Sequence, residues 1–260
     1  MIDGAQSGTG PAGQVQSVAR AFGLLEELAA AAVTAPDGAM QLAELASRTG
    51  LAVPTAHRLL RTLQSLGHVR QLESRAYALG PGLIGLGERA TPRLAERARA
   101  ALVRMEEAAQ ETANLAILDG DDVAYIAQVP SRHRMRMFTE VGRRVLPHAS
   151  GVGKAMLATL PEARVREIVA RTGLPGYTPT TLTTVDALLA DLREIQHRGF
   201  SIDDGEQEVG VRCIAVAIPG AHPPAALSIS GPATRMTDAI VRTAVDELIR
   251  GARSLGDPAG

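Results

Sequence analysis

This 260-residue chain has no tryptophan, three tyrosines and three phenylalanines. Its cores must therefore be assembled from Leu, Ile, Val and Ala. Hydrophobic residues at 45% and charged ones at 21% suit soluble globular packing. The single cysteine, Cys213, excludes an intramolecular disulfide framework and fits a reducing cytoplasm. The first residues, MIDGAQSGTGPAGQ, have neither a basic n-region nor an apolar h-region. They read as a flexible arm (residues 1–14) and not as a signal peptide. The longest uncharged span, CIAVAIPGAHPPAALSISGPAT, is broken by prolines and glycines, so it reads as strands and turns and no membrane span is expected. Six histidines (His57, His68, His133, His148, His197 and His222) show no HExxH or paired metal spacing. No metal and no cofactor are expected. GVGK, with Gly142, Gly151 and Gly153 nearby, lacks the rest of a Walker loop. Lysine is almost missing too, with Lys154 the one lysine among 27 basic residues. The formal net charge is −1, so cationic character must be concentrated locally.

The length exceeds one average domain and fits two modest ones. From Ser17, placed to cap the first turn, the spacing of Val18, Ala21, Phe22, Leu25 and Leu28 predicts an amphipathic helix ending near Ala32. QLAELASRTG reads as a short helix burying Leu42, Leu45 and Ala46 and stopping at Gly50. Pro54 then starts a third helix. GHVRQLESRAYALG has the pattern of a tight two-stranded ribbon with Val69, Tyr77 and Leu79 inward. The glycine-punctuated segment around residues 81–92 reads as a linker. The second half, residues 93–255, opens with the helix RLAERARAALVRMEEAAQET and a hairpin turning at Asp119 to Asp122. HASGVGKAMLATL, PEARVREIVART and TVDALLADLREIQHRG follow as helices, the first capped by Ser150 and the last closed by Gly199. GFSIDD, RCIAVAIP and AALSISG are strands, and TDAIVRTAVDELIRGARSL is a terminal helix. Strands grouped in hairpins with helices to one side argue for an α+β class.

On the third helix, Ala56, Leu59, Leu60, Leu63 and Leu66 gather on one side at 100° per residue, and Arg58, Arg61 and Ser65 lie opposite. Pro54, Thr55 and His57 sit at its leading end. Two short helices joined at a glycine, the second with an arginine face, match a helix-turn-helix that lays its recognition helix in a major groove. Between Arg48 and Arg75 the chain has five arginines (Arg48, Arg58, Arg61, Arg70 and Arg75) against Glu73 alone. That surplus lies where a phosphate backbone needs it, although arginines on a solvated helix face are the simpler reading of any one pair.

The motifs VQSVARAFGLLEELA, TAHRLLRTLQSLGHVRQ and YALGPGLIGLG resemble the winged helix-turn-helix of the IclR family of bacterial transcriptional regulators. LPHASGVGKAMLA, GFSIDDGEQEVGVRCIAVAI and AALSISGPATR resemble that family's effector-binding domain. The resemblance covers nearly the whole chain in order, and the connection PGAHPPA is shorter than usual. It implies an N-terminal winged helix-turn-helix (residues 15–80) and a GAF/profilin-like effector domain with a mainly antiparallel sheet. It implies double-stranded operator DNA as a partner, a small-molecule effector, and assembly as a homodimer or dimer of dimers.

The effector candidates are Leu146, Gly151, Val152, Asp203, Val211, Cys213, Ser228 and Ser230. Ser150, Gly151 and Val152 open a helix, so their amides suit a carboxylate, although an ordinary N-cap explains them as well. By resemblance Asp203 lines the pocket, and a solvated turn carboxylate is the alternative. Ser228 and Ser230, two apart on a strand, share a face, and hydroxyls on an apolar strand cost free energy unless they find partners. Cys213 reads as a buried structural cysteine. The rival function is a hydrolase using Cys213 as nucleophile with His148 as base, but no triad is discernible and residues 15–80 stay unexplained.

Overall fold

The computed structural model describes residues 15–90, 93–135 and 140–256, so the expected arm and residues 91–92 of the expected linker lie outside the described residues. The chain divides into two compact units, residues 1–90 and 91–260.

The first unit begins with α1 (Gln16–Thr34), α2 (Leu42–Arg48) and α3 (Val53–Ser65). Leu24, Leu28 and Ala31 are the buried residues of α1, because α3 and the ribbon below press on that side. Two expectations about α1 are corrected. Val15, not Ser17, occupies the N-cap and offers no side-chain bond. Val18 and Phe22 are exposed, so the apolar stripe is rotated from the one read in the sequence. Both helices of the helix-turn-helix end alike. Leu51 N–H donates to Ala46 O across Gly50 (φ +64°), and His68 N–H donates to Leu63 O across Gly67 (φ +78°). Because α3 closes there, Leu66 stands at the C-cap and is exposed, a second departure from the expected stripe. Pro54 lies in the first turn, where its missing N–H costs nothing.

The ribbon is β1 (Val69–Gln71) paired antiparallel with β2 (Tyr77–Leu79), and Met40 bridges to Tyr77. Arg75 turns the chain in the left-handed region at φ +63°. The expected linker is largely helical, as α4 (Gly82–Ala90). A Cβ on Gly80 would lie 2.3 Å from Gly67 O, which explains a glycine at that crossing.

The second unit runs α5 (Arg93–Ala109), β3 (Thr112–Asp119), β4 (Asp122–Val129), β5 (Arg144–Val145), a 3-10 turn at Pro147–Ala149 and α6 (Gly151–Leu157). Then come α7 (Glu162–Thr172), α8 (Val185–Arg198), β6 (Ser201–Asp204), β7 (Val211–Ala217), β8 (Ala225–Pro232) and α9 (Asp238–Gly256). The strands form one sheet in the order β5-β4-β3-β8-β7-β6, with every pairing antiparallel. This is the expected α+β class. The two-residue β5 is too short for a period to show in the sequence. Despite the short connection, β7 and β8 pair as a hairpin, Ala217 opposite Ala226.

One face of the sheet (Ala113, Leu115, Ile214, Val216, Leu227 and Ile229) forms a core with α5 and α9. On the other, Ala116, Leu118, Val123, Ala215 and Ala226 pack against α6, α7 and α8. Helix α6 lies unusually close to its surroundings. A Cβ on Gly151 would sit 2.9 Å from Cys213 Sγ, and one on Gly153 would sit 2.3 Å from Pro147 O. Gly153→Ala should therefore destabilise the protein by about 1–3 kcal/mol or more, the usual cost of overpacking. A lowered urea midpoint at unchanged slope checks this, and a midpoint equal to the parent's would refute it.

Candidate functional site

On the outer side of α3, opposite Ala56, Leu60 and Leu63, the residues His57, Arg58, Arg61, Thr62 and Ser65 border one open concavity of about 530 Å³. Pro54 is exposed and Thr55 half-buried at the leading end, while Arg70 and Arg75 are exposed on the ribbon. Thr62 was missed by the sequence reading, although it lies four residues after Arg58 and its hydroxyl donates to Arg58 O at 3.1 Å. Arg48 stands apart, because its guanidinium pairs with Glu27 at 2.5 Å and lies 3.9 Å from Glu44. Among the described residues no ion pair engages Arg58, Arg61, Arg70 or Arg75. Their charge is available to a polyanion.

In the second unit, antiparallel pairing gathers several effector candidates. Opposite residues share a face, so Ser230, Cys213 and Asp203 form one row across β8, β7 and β6. The neighbouring row is Gln128, Asn114, Ser228, Ala215 and Ser201. Helix α6 closes over them, with Gly151 against Cys213 and the Ser201 hydroxyl donating to Gly151 O at 2.6 Å. Ser150 caps α6 as expected, its Oγ accepting from Gly153 N–H at 3.2 Å. Val152 is buried, and Val211, half-buried, is two residues before Cys213. Leu146 lines a separate cavity of about 310 Å³ with Asp122, Arg143, Arg144, Val145, Tyr177 and Gln207; no other effector candidate borders that cavity.

The sequence reading also missed Asn114, Gln128 and Lys154. Asn114 donates to Ser228 Oγ at 3.3 Å and to Ser230 Oγ at 3.0 Å, and its Oδ1 accepts from Gln128 Nε2 at 3.1 Å. A period-2 match was available, since Thr112 and Asn114 mirror the spacing of Ser228 and Ser230. Lys154 is fully buried, its Nζ 2.5 Å from Glu206 and 2.8 Å from Asp191. Its rarity in the sequence was visible, but its partners lie 37 and 52 residues away.

Burial dominates the electrostatics. It pushes the Asp203 carboxyl up to about 7, against the pull of the Glu206 amide, which donates to Asp203 Oδ1 at 2.7 Å. Burial likewise raises Glu206, with Lys154 opposing. The Cys213 thiol is driven well above its ordinary range by burial, then by Asp203, which removes the thiolate a nucleophile needs. His148 is lowered by burial, and its Nε2 lies 3.0 Å from Pro175 O. The hydrolase reading therefore lacks an activated nucleophile. Among the described residues no group of three or more His, Cys, Asp or Glu could hold a metal ion, and no helix is long and apolar enough to cross a membrane.

A winged helix-turn-helix with free arginines on its recognition helix, followed by an antiparallel α+β domain, defines a two-domain DNA-binding transcriptional regulator. The IclR helix-turn-helix domain matches residues 17–73, and the bacterial transcriptional regulator IclR C-terminal domain matches residues 91–256. The transcriptional repressor IclR of Escherichia coli K12 is 41% identical over 238 residues, covering 88% of this chain and 85% of that protein. The regulator BhcR of Paracoccus denitrificans is 35% identical, covering 95% and 88%. Among solved structures, Thermotoga maritima IclR superposes with a TM-score of 0.78 at 26% identity, covering 94% of this chain and 100% of that one. An IclR homolog from Microbacterium hydrocarbonoxydans complexed with 4-hydroxybenzoate gives 0.72 at 25% identity, covering 92% and 98%. The chain belongs to the IclR family of bacterial transcriptional regulators, and it is a regulator and not an enzyme.

The raised Asp203 carboxyl has a pH signature. The folded state holds this proton up to about pH 7, whereas an unfolded aspartate releases it near 4. The native state thus binds more protons between about pH 4 and 7. Asp203 therefore costs nothing below that window, costs progressively more through it, and costs a constant amount above it. Asp203→Asn keeps an acceptor for the Glu206 amide and should gain stability over the parent as pH rises from 4 to 7. Thermal melts at pH 4.5, 6 and 7.5 read this. A difference that stays flat across them contradicts the assignment.

Proposed function

We propose that this regulator is a cytoplasmic repressor whose operator affinity is set by a small organic acid held in its second unit. The observation that carries this reading is the convergence of Asp203, Cys213, Ser228 and Ser230 beneath the start of α6. These polar groups share their face with Asn114 and Ser201 and are flanked by alanine, valine and leucine. Gly151 and Val152 supply amides at the helix start, and Val152 and Val211 supply apolar walls, while Leu146, in its separate cavity, is left out of the site. Asp203, half-protonated near neutral pH, accepts a hydrogen bond from a ligand hydroxyl or bound water and tolerates a neighbouring carboxylate. The 4-hydroxybenzoate bound to a structural relative is an acid of the expected class, and the E. coli relative is a repressor.

For DNA, Arg58 and Arg61 read base edges in the major groove, with Pro54, Thr55, His57 and Ser65 along the contact, while Arg70 and Arg75 hold phosphate or the minor groove. One recognition helix reads few base pairs, so two are paired in a homodimer or dimer of dimers on a roughly palindromic site. Exposed Val18 and Phe22 on α1, with Val15 at its N-cap, supply apolar surface for that pairing.

Arg58→Ala or Arg61→Ala should cost about 1–3 kcal/mol of operator binding and relax preference at one base position. Arg70→Ala should weaken all sequences alike and flatten the salt dependence. Titration of operator and scrambled duplexes at fixed salt separates the two, and unchanged operator affinity in both α3 variants would remove the recognition helix from the groove.

Ser230→Ala should leave ligand-free operator affinity near that of the parent while blunting the ligand response. That response is about 5–150-fold for a coupling of 1–3 kcal/mol. Operator binding with and without 4-hydroxybenzoate and simpler carboxylic acids measures it. A variant that responds like the parent places the pocket elsewhere.

A further inference from the structure

The two serines of the polar row accept hydrogen bonds before any ligand arrives. Asn114, fully buried on β3, uses both protons of its Nδ2 on them, one to Ser228 Oγ at 3.3 Å and one to Ser230 Oγ at 3.0 Å. An Oγ that accepts from Asn114 must aim its own proton elsewhere. Ser228 has the Cys213 sulfur beside it. The Ser230 hydroxyl proton meets no acceptor among the described residues.

The orientation of Asn114 is coupled to a second amide. Gln128, on the neighbouring strand β4, donates from Nε2 to Asn114 Oδ1 at 3.1 Å. Were Asn114 turned over, its oxygen would receive both serine protons and its nitrogen would meet the nitrogen of Gln128. The two amides therefore turn together or not at all. In the arrangement seen, donors run one way along the row, from Gln128 through Asn114 to the serines.

We infer that Asn114 and Gln128 are positioning residues that present Ser230 as a hydrogen-bond donor, so that the site selects a carboxylate over the matching primary amide. An ionised acid offers only acceptors to the Ser230 hydroxyl. An amide that turns an N–H group toward it faces a proton and leaves a buried donor unpaired. This rests on the effector reading above and adds which end of the ligand Ser230 holds, and why.

Gln128 is half-buried on β4, so it can be changed with less risk to the fold than Asn114. An ionised Gln128→Glu carries no donor, turns Asn114 over and converts the serines to acceptors at nearly constant volume. Gln128→Met removes the coupling without adding charge. Calorimetric titration of the full-length protein with propionate, benzoate and 4-hydroxybenzoate, each against its primary amide, gives the acid-to-amide ratio. Expected is a preference for acid in the parent, lowered about tenfold or more by Gln128→Glu with a gain in absolute amide affinity, and lowered less by Gln128→Met. A gain of amide binding is something that neither damage to the fold nor repulsion of the acid produces. Equal losses for acid and amide, or an unchanged ratio in both variants, overturn the relay. Acid binding that survives Ser230→Ala undiminished, or no acid binding to the parent, overturns the effector site and the relay with it. Binding that depends on Ser230 with an unaltered ratio overturns the relay alone.

Discussion

Register in the six-stranded sheet is the constraint from which the second unit follows. In an antiparallel ladder, side chains alternate between faces, and directly opposed residues share one. Pairing Asn114 with Ser228 and Gln128, and Cys213 with Ser230 and Asp203, puts every polar group of the row on the α6 side. The same register sends Leu115, Ile214, Leu227 and Ile229 to α5 and α9. A slip of one residue on β8 would drive Ser228 and Ser230 into that apolar core and leave them without Asn114. Each unpaired hydroxyl would cost about 1–3 kcal/mol. The polar row thus helps to specify the pairing that creates it.

The second constraint is the closeness of α6. Glycines at 151 and 153 let the helix approach Cys213 and the Pro147 carbonyl, and Ser201 ties its first turn to the sheet. Lys154, on the same helix, holds Asp191 of α8 and Glu206 of the loop after β6. The Glu206 amide in turn holds Asp203. A buried ion triad of this kind is weak evidence for stability, because desolvation offsets most of the attraction. Its consequence is geometric. The carboxyl in the polar row, the loop that follows its strand and two helices are thus connected, so a displacement of one meets resistance from the others. The DNA-binding unit has a plainer logic: among the described residues Arg58, Arg61, Arg70 and Arg75 carry no ion pair, while Arg48 is held by Glu27.

Much of the fold was legible because it depends on local chemistry. Gly50 and Gly67 end helices through left-handed conformations that side chains disfavour, Pro54 suits a first turn, and Gly199 closes α8 at φ +82°. The features misread depended on neighbours distant in sequence. Phe22 fits the apolar period of α1, yet Leu24 faces the core because α3 and β2 press there. Leu66 extends the stripe of α3 on a wheel, but the helix ends at Ser65 and Leu66 is its C-cap. Ser17 has good capping chemistry and lies one residue inside the helix that begins after Val15. Arg48 counts as free positive charge in the sequence and is held by Glu27, 21 residues earlier.

By itself, the sequence determined the order and type of most elements, the arginine face of the recognition helix and the family to which the chain belongs. These depend on periodicity, turn residues and motifs spanning a few tens of residues. Only the tertiary structure decided which polar groups meet. Asn114 reaches serines 114 and 116 residues away, and Lys154 reaches Glu206 across 52. Strand order and register bring such groups together through backbone pairing, which is indifferent to side-chain identity until the faces are buried. Burial then decides the chemistry as well. The same Asp203 that is an ordinary acid in an open chain holds its proton to about pH 7 beneath α6, because the folded protein has removed the water that would carry its charge.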